Sequence, residues 1–395
     1  MINQLPEGVL SEILVRLPVK SLLQFSCVCK KWCALIKSPY FADMHLNHAK
    51  DYNDHRVVLI KRFIKDGKKT VLSFHSHHNG GEEDETLHVV APNLELPWWD
   101  RYWVGLIGAC NGIVCISDFY DIYLCNPARH ELLKLPVRPF VYPDGCSKGS
   151  VFTTNGLAFG FDPSSGDYKV LRIISFSAGS FCLPSVTAEI YNLSTNSWRN
   201  LDADLPKIEH PHPCFPALIH GSYHWCAAST KSRLSVSRMI LSFNICTEAF
   251  GEMEFPCYTA DDTRPSLVVL DDSLAFISFK NPYPQRLPSI YEQFIDIWVM
   301  VEYGIKESWM KKFSLGPLVG MNGPLIHEPL CSWTNDKLLL QSEDGYLISC
   351  SLKNHSQETR KFDICGQRDT LKVIIYQESL VSLSKRHEGL SWWKI

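Results

Sequence analysis

Apolar residues in the first forty positions recur every three or four residues, the spacing of amphipathic helices. One stripe consists of Leu10, Ile13, Leu14 and Leu17. It ends before Pro18, because a residue that precedes proline is pushed out of the helical region. A second stripe runs to Pro39 and consists of Leu22, Phe25, Cys29, Trp32 and Ile36. Two or three helices this short cannot bury much apolar surface alone, so we expect something else to cover part of it.

From residue 104 onward, apolar stretches alternate with Asn, Gly, Asp and Pro, which indicates β-strands joined by turns. A unit of strand, polar turn and strand recurs at 122–136, 188–202, 240–255, 297–313 and, more weakly, 347–362. Further strand-like runs lie at 112–117, 168–174, 223–227, 273–279 and 337–341. About four strands then fall in each unit, the number in a propeller blade.

Residues 46–103 connect these parts and contain strand-like runs at 55–64 and 70–74, separated by a turn. The last predicted strands, 371–376 and 379–383, have no downstream partner, and the early strands have no upstream one. Pairing them would complete a blade and remove exposed sheet edges. We therefore predict a small all-α module at 1–45, a linker with early strands at 46–103, and an all-β domain at 104–395. The β domain is expected to be a closed propeller-like ring of about six blades, with a pair of antiparallel sandwiches as the alternative.

Composition narrows the class of protein. The chain has 395 residues, 45% of them hydrophobic and 21% charged, with a net charge of −3. This balance is that of a folded globular chain and excludes a protein that depends on nucleic-acid backbone contacts. The N-terminus lacks the pattern of a signal peptide, and the apolar run 105–116 is too short to span a bilayer. The sequence contains 15 cysteines, an odd number, and no Cys-x-x-Cys motif. We expect reduced thiols, no membrane association and a cytoplasmic location, with the nucleus as a further one.

Three kinds of motif in the sequence have possible chemistry. Residues 145–149 match G-x-S-x-G, but no helix follows, so the serine lacks the strand-to-helix turn of a hydrolase. Two clusters contain potential metal ligands: His75, His77 and His78, and His210, His212 and Cys214. Both occur in polar sequence without further ligand pairs, so we expect solvated loops and no metal or cofactor. Pro163, Ser164, Ser165 and Gly166 are predicted to form a tight hairpin turn in which Asp162 bonds the turn backbone, with a ligand loop as the functional alternative.

The opening segment resembles an F-box over residues 3–43. The resemblance rests on Leu5-Pro6, Ile13-Leu14, Leu17-Pro18, Val19-Lys20-Ser21-Leu22, Val28-Cys29-Lys30, Trp32 and Leu35-Ile36. It implies a helical module that binds a Skp-type adaptor, which in turn joins a cullin and a RING subunit in a ubiquitin ligase. The adaptor-binding residues that it implies are Leu5, Pro6, Leu10, Ile13, Leu14, Leu17, Pro18, Val19, Leu22, Cys29 and Trp32. Some of them must form the core of the module, and the sequence does not divide them.

The remainder resembles the plant F-box-associated interaction domain, through segments 108–112, 124–129, 157–162 and 167–170. Segments 297–304, 307–309 and 338–342 are most similar to the S-locus F-box proteins. The resemblance implies a non-catalytic substrate receptor whose β domain holds a client. For the S-locus group, that client is a non-self S-ribonuclease in pollen.

Acidic loops could steer a basic client toward the β domain, although solvated loops without such a role have the same composition. The candidate client-binding residues are Glu82, Glu83, Asp84, Glu85, Asp261 and Asp262. Two alternatives stay open. One is a ubiquitin-ligase receptor for another client, such as an immune receptor or a transcription factor. The other is a propeller enzyme with an axial active site.

Overall fold

A computed structural model describes most of the chain. The described residues are 6–51, 57–79, 85–95, 104–118, 121–138, 151–177, 185–203, 205, 217–232, 235–256, 266–280, 292–319, 326–334, 336–352, 359–383 and 391–392. Over these residues, four N-terminal helices precede six antiparallel sheets, which are arranged as a six-blade β-propeller. The predicted fold class is confirmed, and the alternative of two sandwiches is wrong.

The four helices are α1 (Glu7–Leu14), α2 (Val19–Phe25), α3 (Lys30–Ile36) and α4 (Pro39–Asp51). Proline precedes both α1 and α2. The Pro6 carbonyl accepts a hydrogen bond from the backbone N–H of Leu10 at 3.0 Å. Pro39 was expected to end the helical segment, and instead it begins a further helix. A proline tolerates the first helical position because its missing N–H would have no partner there.

Six sheets follow. Blade 1 contains β1 (Val57–Ile64), β2 (Lys69–Asn79), β3 (Glu85–Glu95) and β24 (Lys372–Tyr376). Blade 2 contains β4 (Gly105–Cys110), β5 (Ile113–Ser117), β6 (Ile122–Asn126), β7 (Glu131–Lys134) and β25 (Ser391–Trp392). Blade 3 contains β8 (Val151–Asp162), β9 (Asp167–Ser177), β10 (Ser185–Asn192) and β11 (Ser197–Leu201).

The other three blades follow in chain order. Blade 4 contains β12 (Ala217–Ile219), β13 (Ser222–Ser232), β14 (Ser235–Asn244) and β15 (Phe250–Met253). Blade 5 contains β16 (Ser266–Leu270), β17 (Ser273–Lys280), β18 (Glu292–Met300) and β19 (Trp309–Val319). Blade 6 contains β20 (Ile326–Thr334), β21 (Lys337–Ser342), β22 (Tyr346–Ser351) and β23 (Thr359–Cys365).

The sequence repeat coincides with the blades. Its five copies are the third and fourth strands of blades 2 to 6, and the five intervening runs contain their second strands. The predicted pairing of the chain ends is also confirmed, because β24 lies beside β1 in blade 1. The predicted strand at 379–383 is wrong. Much of the polar backbone there is bonded to side chains of blade 2, and the segment forms no ladder.

The chain divides into two compact units. The first comprises Met1–Ile60, Val71–Val137 and Ile374–Ile395, and the second comprises Lys61–Thr70 and Arg138–Val373. In the first unit, one core lies among the helices and another joins strands of blades 1 and 2. In the second unit, separate cores join blades 3 and 4, blades 4 and 5, and blades 5 and 6. Buried apolar side chains from adjacent sheets therefore stabilise these four pairs of blades.

Candidate functional site

The inner side of the helices forms a closed apolar core. Leu14, Val19 and Leu22 are buried there to at least 98% and pack with buried side chains of α3 and α4. The resemblance assigned all three to the adaptor-binding set, and the structure places them inside the module. They therefore form the core of the module and do not present their side chains at its surface.

The outer side of the helices exposes apolar side chains. Ile13 is 49% exposed and Val28 is 63% exposed, and Val9 and Phe25 are also exposed. We call these four residues the outer apolar face. Of the other predicted adaptor residues, Pro6, Pro18 and Cys29 are exposed, Leu10, Leu17 and Trp32 are half-buried, and Leu5 lies outside the described residues.

Local hydrogen bonds hold the outer apolar face in place. The Val28 N–H donates to the Phe25 carbonyl at 3.0 Å, which continues the chain past the end of α2 in a turn. The Cys29 Sγ then accepts from the Trp32 N–H at 3.5 Å and caps α3. The Phe25 and Trp32 rings meet edge to face, with centroids 5.8 Å apart. Since these contacts exist without a partner, the surface is preorganised, which lowers the entropic cost of binding.

The same helices carry positive charge. Between residues 6 and 38, five side chains are basic and two are acidic, a net charge of +3. Arg16, Lys20 and Lys30 are exposed. An apolar surface surrounded by basic side chains favours an acidic partner with its own apolar patch, because charge complementarity accelerates association.

A segment from the far end of the chain completes the core of the module. Leu380 is 3% exposed and packs in the helical core with Leu14, Leu22 and Phe41. The Gln377 amide donates to the Leu46 carbonyl at 3.4 Å. The cover that the sequence required for these leucines is therefore supplied in part by the protein itself. The outer apolar face stays exposed.

This C-terminal segment is bound by residues of segments 108–112 and 124–129, two of the segments that resemble the F-box-associated domain. The Asn126 amide donates to the Ser379 and Val381 carbonyls at 3.1 and 2.7 Å. Ser379 Oγ donates to the Asn111 carbonyl at 2.5 Å. Gly112 has a positive φ of 78°, and a Cβ there would lie 2.2 Å from Ser379 Oγ. Glycine is thus required both by the turn and by the close approach of the segment.

Glu131 adds a buried charge to the same contact. Its carboxylate accepts a hydrogen bond from the Leu383 N–H at 2.6 Å. It accepts two more at 2.9 Å, one from Ser382 Oγ and one from Arg129 Nε. A fully buried carboxylate needs such partners to offset the loss of hydration. The Arg129 side chain, which sits in the Asn-Pro-Ala-Arg motif, therefore has a structural role here.

In the second unit, the residues of the predicted hairpin at 162–167 are structural. Asp162 Oδ1 accepts from the Ser164 N–H at 2.9 Å, which confirms the predicted bond to the turn backbone. Asp162 also pairs with Lys169 at 2.7 Å, and Lys169 pairs with Glu248 at 2.7 Å. Burial alone would raise the pKa of Asp162, but hydrogen bonds from Lys169, Ser164 and Ser165 hold it well below its usual range. The network joins blades 3 and 4, and each of its charged groups has a partner of opposite charge.

The other motifs add no site to the described part of the chain. His75 is buried and its ring bonds Ser73 Oγ at 2.9 Å, while the side chains of His77 and His78 are not described. Residues 145–149, 210–214 and 261–262 lie outside the described residues, as do 82–84 of the acidic loop, and Glu85 begins β3. Among the described residues, no group of three or more His, Cys, Asp and Glu could hold a metal ion. No helix in the described ranges is both long and apolar enough to cross a membrane.

The described chain thus combines four helices that expose apolar side chains with a six-blade propeller. Residues 2–43 match the F-box domain, and residues 53–386 match the F-box associated beta propeller domain. The chain therefore belongs to the family of plant F-box proteins with an F-box associated propeller. F-box proteins are generally non-catalytic adaptors, and this domain pair suggests the substrate-recognition subunit of a cullin-based ubiquitin ligase.

Relatives in Arabidopsis thaliana share both parts. F-box protein CPR1 is 24% identical over 94% of this chain and 87% of its own length. An F-box/kelch-repeat protein is 29% identical over 88% of each chain. Among solved structures, an oligogalacturonate lyase in complex with manganese aligns with a TM-score of 0.41 and 12% identity, over 77% of this chain and 78% of that chain. A likeness this weak carries no argument about function.

Two features of the site were not found from the sequence. Val9, Phe25 and Val28 belong to the outer apolar face although none of them was in the predicted adaptor set. Val9 could have been found because it lies off the stripe of α1, whereas Phe25 lies on the second stripe and Val28 lies in the turn after α2. Leu380 had no such signal, because its role depends on where the far end of the chain folds.

Proposed function

We propose that this protein binds a Skp-type adaptor through its outer apolar face and so joins a cullin and a RING subunit in a ubiquitin ligase. The observation that carries the proposal is that the helical core is already closed, by Leu380 among others, while Val9, Ile13, Phe25 and Val28 stay exposed. An apolar surface that the rest of the described fold leaves uncovered is typical of a protein-binding site.

The energy available is adequate for a specific complex. Complete burial of one such side chain stabilises by about 1.5–3 kcal/mol, and these four are one-third to two-thirds exposed before binding. Together they can supply several kcal/mol in a cluster, which is how hot spots carry an interface. The net charge of +3 on residues 6–38 adds attraction for an acidic adaptor.

The proposed mechanism involves no bond chemistry in this chain. The propeller holds a client while the helices hold the adaptor. Client lysines therefore stay at high effective concentration beside a ubiquitin-conjugating enzyme that carries ubiquitin. The rate gain comes from proximity, and the cysteine chemistry is supplied by other subunits.

The test is a pair of substitutions on the outer apolar face, Ile13→Asp with Val28→Asp. Binding of the full chain to a purified Skp-type adaptor is measured by calorimetry, with circular dichroism to verify folding. Val89→Asp is the matched control, because Val89 is 63% exposed in a strand of blade 1. We expect the double variant to lose adaptor binding and the control to keep it. Undiminished binding by a folded double variant would contradict the proposal.

For the client, we propose a non-self S-ribonuclease. The support is the likeness of segments 297–304, 307–309 and 338–342 to the S-locus F-box proteins. Co-purification of the full chain from pollen should then recover the adaptor, the cullin and an S-ribonuclease together. Recovery of the adaptor and cullin without any S-ribonuclease would favour another client, and expression outside pollen would favour it further.

A further inference from the structure

The turn between β18 and β19 exposes apolar side chains at alternate positions. Val301 is 60% exposed, Tyr303 is 41% exposed and Ile305 is 45% exposed. We call these three residues the hairpin patch. None of them belongs to a described hydrophobic core, whereas Met300 and Trp309 at the base of the same hairpin are buried in the core between blades 4 and 5. The base therefore anchors the hairpin, and the patch needs another explanation.

The backbone of this turn is fixed by its own hydrogen bonds. Ser308 Oγ accepts a hydrogen bond from the Glu302 N–H at 3.1 Å. Its hydroxyl also lies within donating distance of two carbonyls, that of Glu302 at 2.8 Å and that of Ile305 at 2.7 Å. Gly304, with a φ of 84°, supplies the left-handed position of the turn. At the base, Trp309 Nε1 donates to the Glu254 carbonyl at 3.1 Å. The three apolar side chains are thus presented by an ordered loop, so little entropy would be lost on binding.

The Tyr303 ring is held by two histidines of blade 4. Its hydroxyl lies 2.8 Å from Nε2 of the buried His224. The ring also meets His220 edge to face, with centroids 5.2 Å apart. An aromatic side chain that is held in place yet two-fifths exposed has the properties of an interface hot spot.

Acidic side chains surround the patch. Glu302 and Glu307 lie within the turn and are exposed, and Glu254 is exposed and pairs with Lys306. The two carboxylates of the turn, Glu254 beside it and the Lys306 ammonium together have a net charge of −2. A basic segment would complement this charge, and an acidic segment would be repelled.

We propose that the hairpin patch is a docking surface for a client segment in which aliphatic or aromatic side chains are flanked by lysine or arginine. The proposal rests on the proposed function, since it names the part of the propeller that holds the client. Three observations carry it together: ordered exposed apolar side chains, a fixed aromatic anchor and negative charge around them.

The test measures binding of short synthetic peptides to the full chain in complex with its adaptor, by fluorescence anisotropy. One peptide has a Leu-Phe core flanked by lysines, a second has the same core flanked by glutamates, and a third has a serine core flanked by lysines. The variants are Val301→Ser with Ile305→Ser, which removes apolar contacts, and Glu302→Gln with Glu307→Gln, which removes charge. Val89→Ser is the control for an exposed apolar side chain elsewhere.

We expect only the lysine-flanked Leu-Phe peptide to bind. The apolar double variant should weaken its affinity about tenfold or more, which corresponds to about 1.4 kcal/mol. The charge double variant should weaken binding and reduce its dependence on salt, because screening weakens interactions between exposed charges. The Val89→Ser control should bind as the unsubstituted chain does.

Three results would overturn the proposal: binding of the glutamate-flanked peptide with equal affinity, unchanged affinity in the apolar double variant, or no binding of any peptide. A fourth contradicting result would come from light scattering. If the unsubstituted chain self-associates and the apolar double variant does not, a second copy of the chain occupies the patch. Adaptor capture is measured in the same preparations and depends on the helices. Failure at the hairpin is therefore distinguishable from failure of the proposed function.

Discussion

Leu380 links the end of the chain to the helical module, so Leu380→Ala should loosen the helices selectively. The side chain is 97% buried and packs with Leu14, Leu22 and Phe41. Removal of its outer carbons leaves a cavity between α1, α2 and α4. Blades 3 to 6 contain none of these contacts.

The expected magnitude follows from the burial. Replacing a fully buried leucine by alanine costs about 2–5 kcal/mol, depending on how far the site collapses. Because about 1.4 kcal/mol is a factor of ten, the lower end of that range makes local opening of the helices about thirtyfold more frequent. A module with few buried side chains has little stability in reserve to absorb this loss.

Amide hydrogen exchange with mass spectrometry measures the effect directly. Peptides from α2 and α4 should lose protection by a factor of this size, and peptides from β13 and β17 should keep theirs, since exchange reports local opening. Ile375→Ala is the control, because Ile375 is 38% exposed and its truncation leaves a smaller cavity.

The reasoning would be refuted by unchanged protection of α2 and α4 in Leu380→Ala. It would also be refuted by equal loss of protection in all blades, which would mean that Leu380 stabilises the chain as a whole and not the helical module.

Three further predictions concern the motif turn and the buried charges. Gly112→Ala should weaken the hold on residues 377–383, since its Cβ would lie 2.2 Å from Ser379 Oγ, and limited proteolysis should cut this segment faster than in the unsubstituted chain. The pKa of Asp162 is lowered, so its stabilising effect is present above about pH 4 and is lost as the pH falls below that value. Asp162→Asn should reduce the free energy of unfolding at neutral pH and flatten the decline of that free energy in acid, as urea titrations would show. An equally steep decline in the variant would contradict this prediction. Burial and the nearby charge of Lys372 lower the pKa of Lys61 to about 7, so the unfolded chain binds more protons than the folded chain above that pH, and the free energy of unfolding rises from about pH 7 to about pH 10. Lys61→Met should remove that rise and increase the melting temperature most below pH 7. A lower melting temperature in the variant would refute this prediction.

Much of the fold followed from periodic patterns. The spacing of Leu10, Leu14 and Leu17 predicted a helix, and the recurring strand-turn-strand unit predicted the blades, because both signals are local. The signals failed where distant parts of the chain decide the structure. Residues 379–383 form a short, largely apolar run that was predicted as a strand, but Asn126 and Glu131 bind their backbone instead.

The candidate site shows the same division. Ile13 and Leu14 are adjacent and equally apolar, so the helical pattern alone does not tell which one faces outward. The structure buries Leu14 to 1% exposure beside Leu380 and leaves Ile13 half exposed. The sequence thus predicted a binding module and its approximate residues, whereas the surface itself depends on a segment far away in the chain.

Because we propose that an adaptor covers the outer apolar face, a native cysteine next to that face should become shielded when the adaptor binds. Cys27 is exposed and precedes Val28, while Cys365 is exposed on β23 and serves as the internal control. Alkylation of both thiols by iodoacetamide is followed by mass spectrometry with and without a stoichiometric Skp-type adaptor. We expect the adaptor to protect Cys27 in proportion to its occupancy and to leave the alkylation rate of Cys365 unchanged. Equal alkylation of Cys27 in the free chain and in the saturated complex would contradict it.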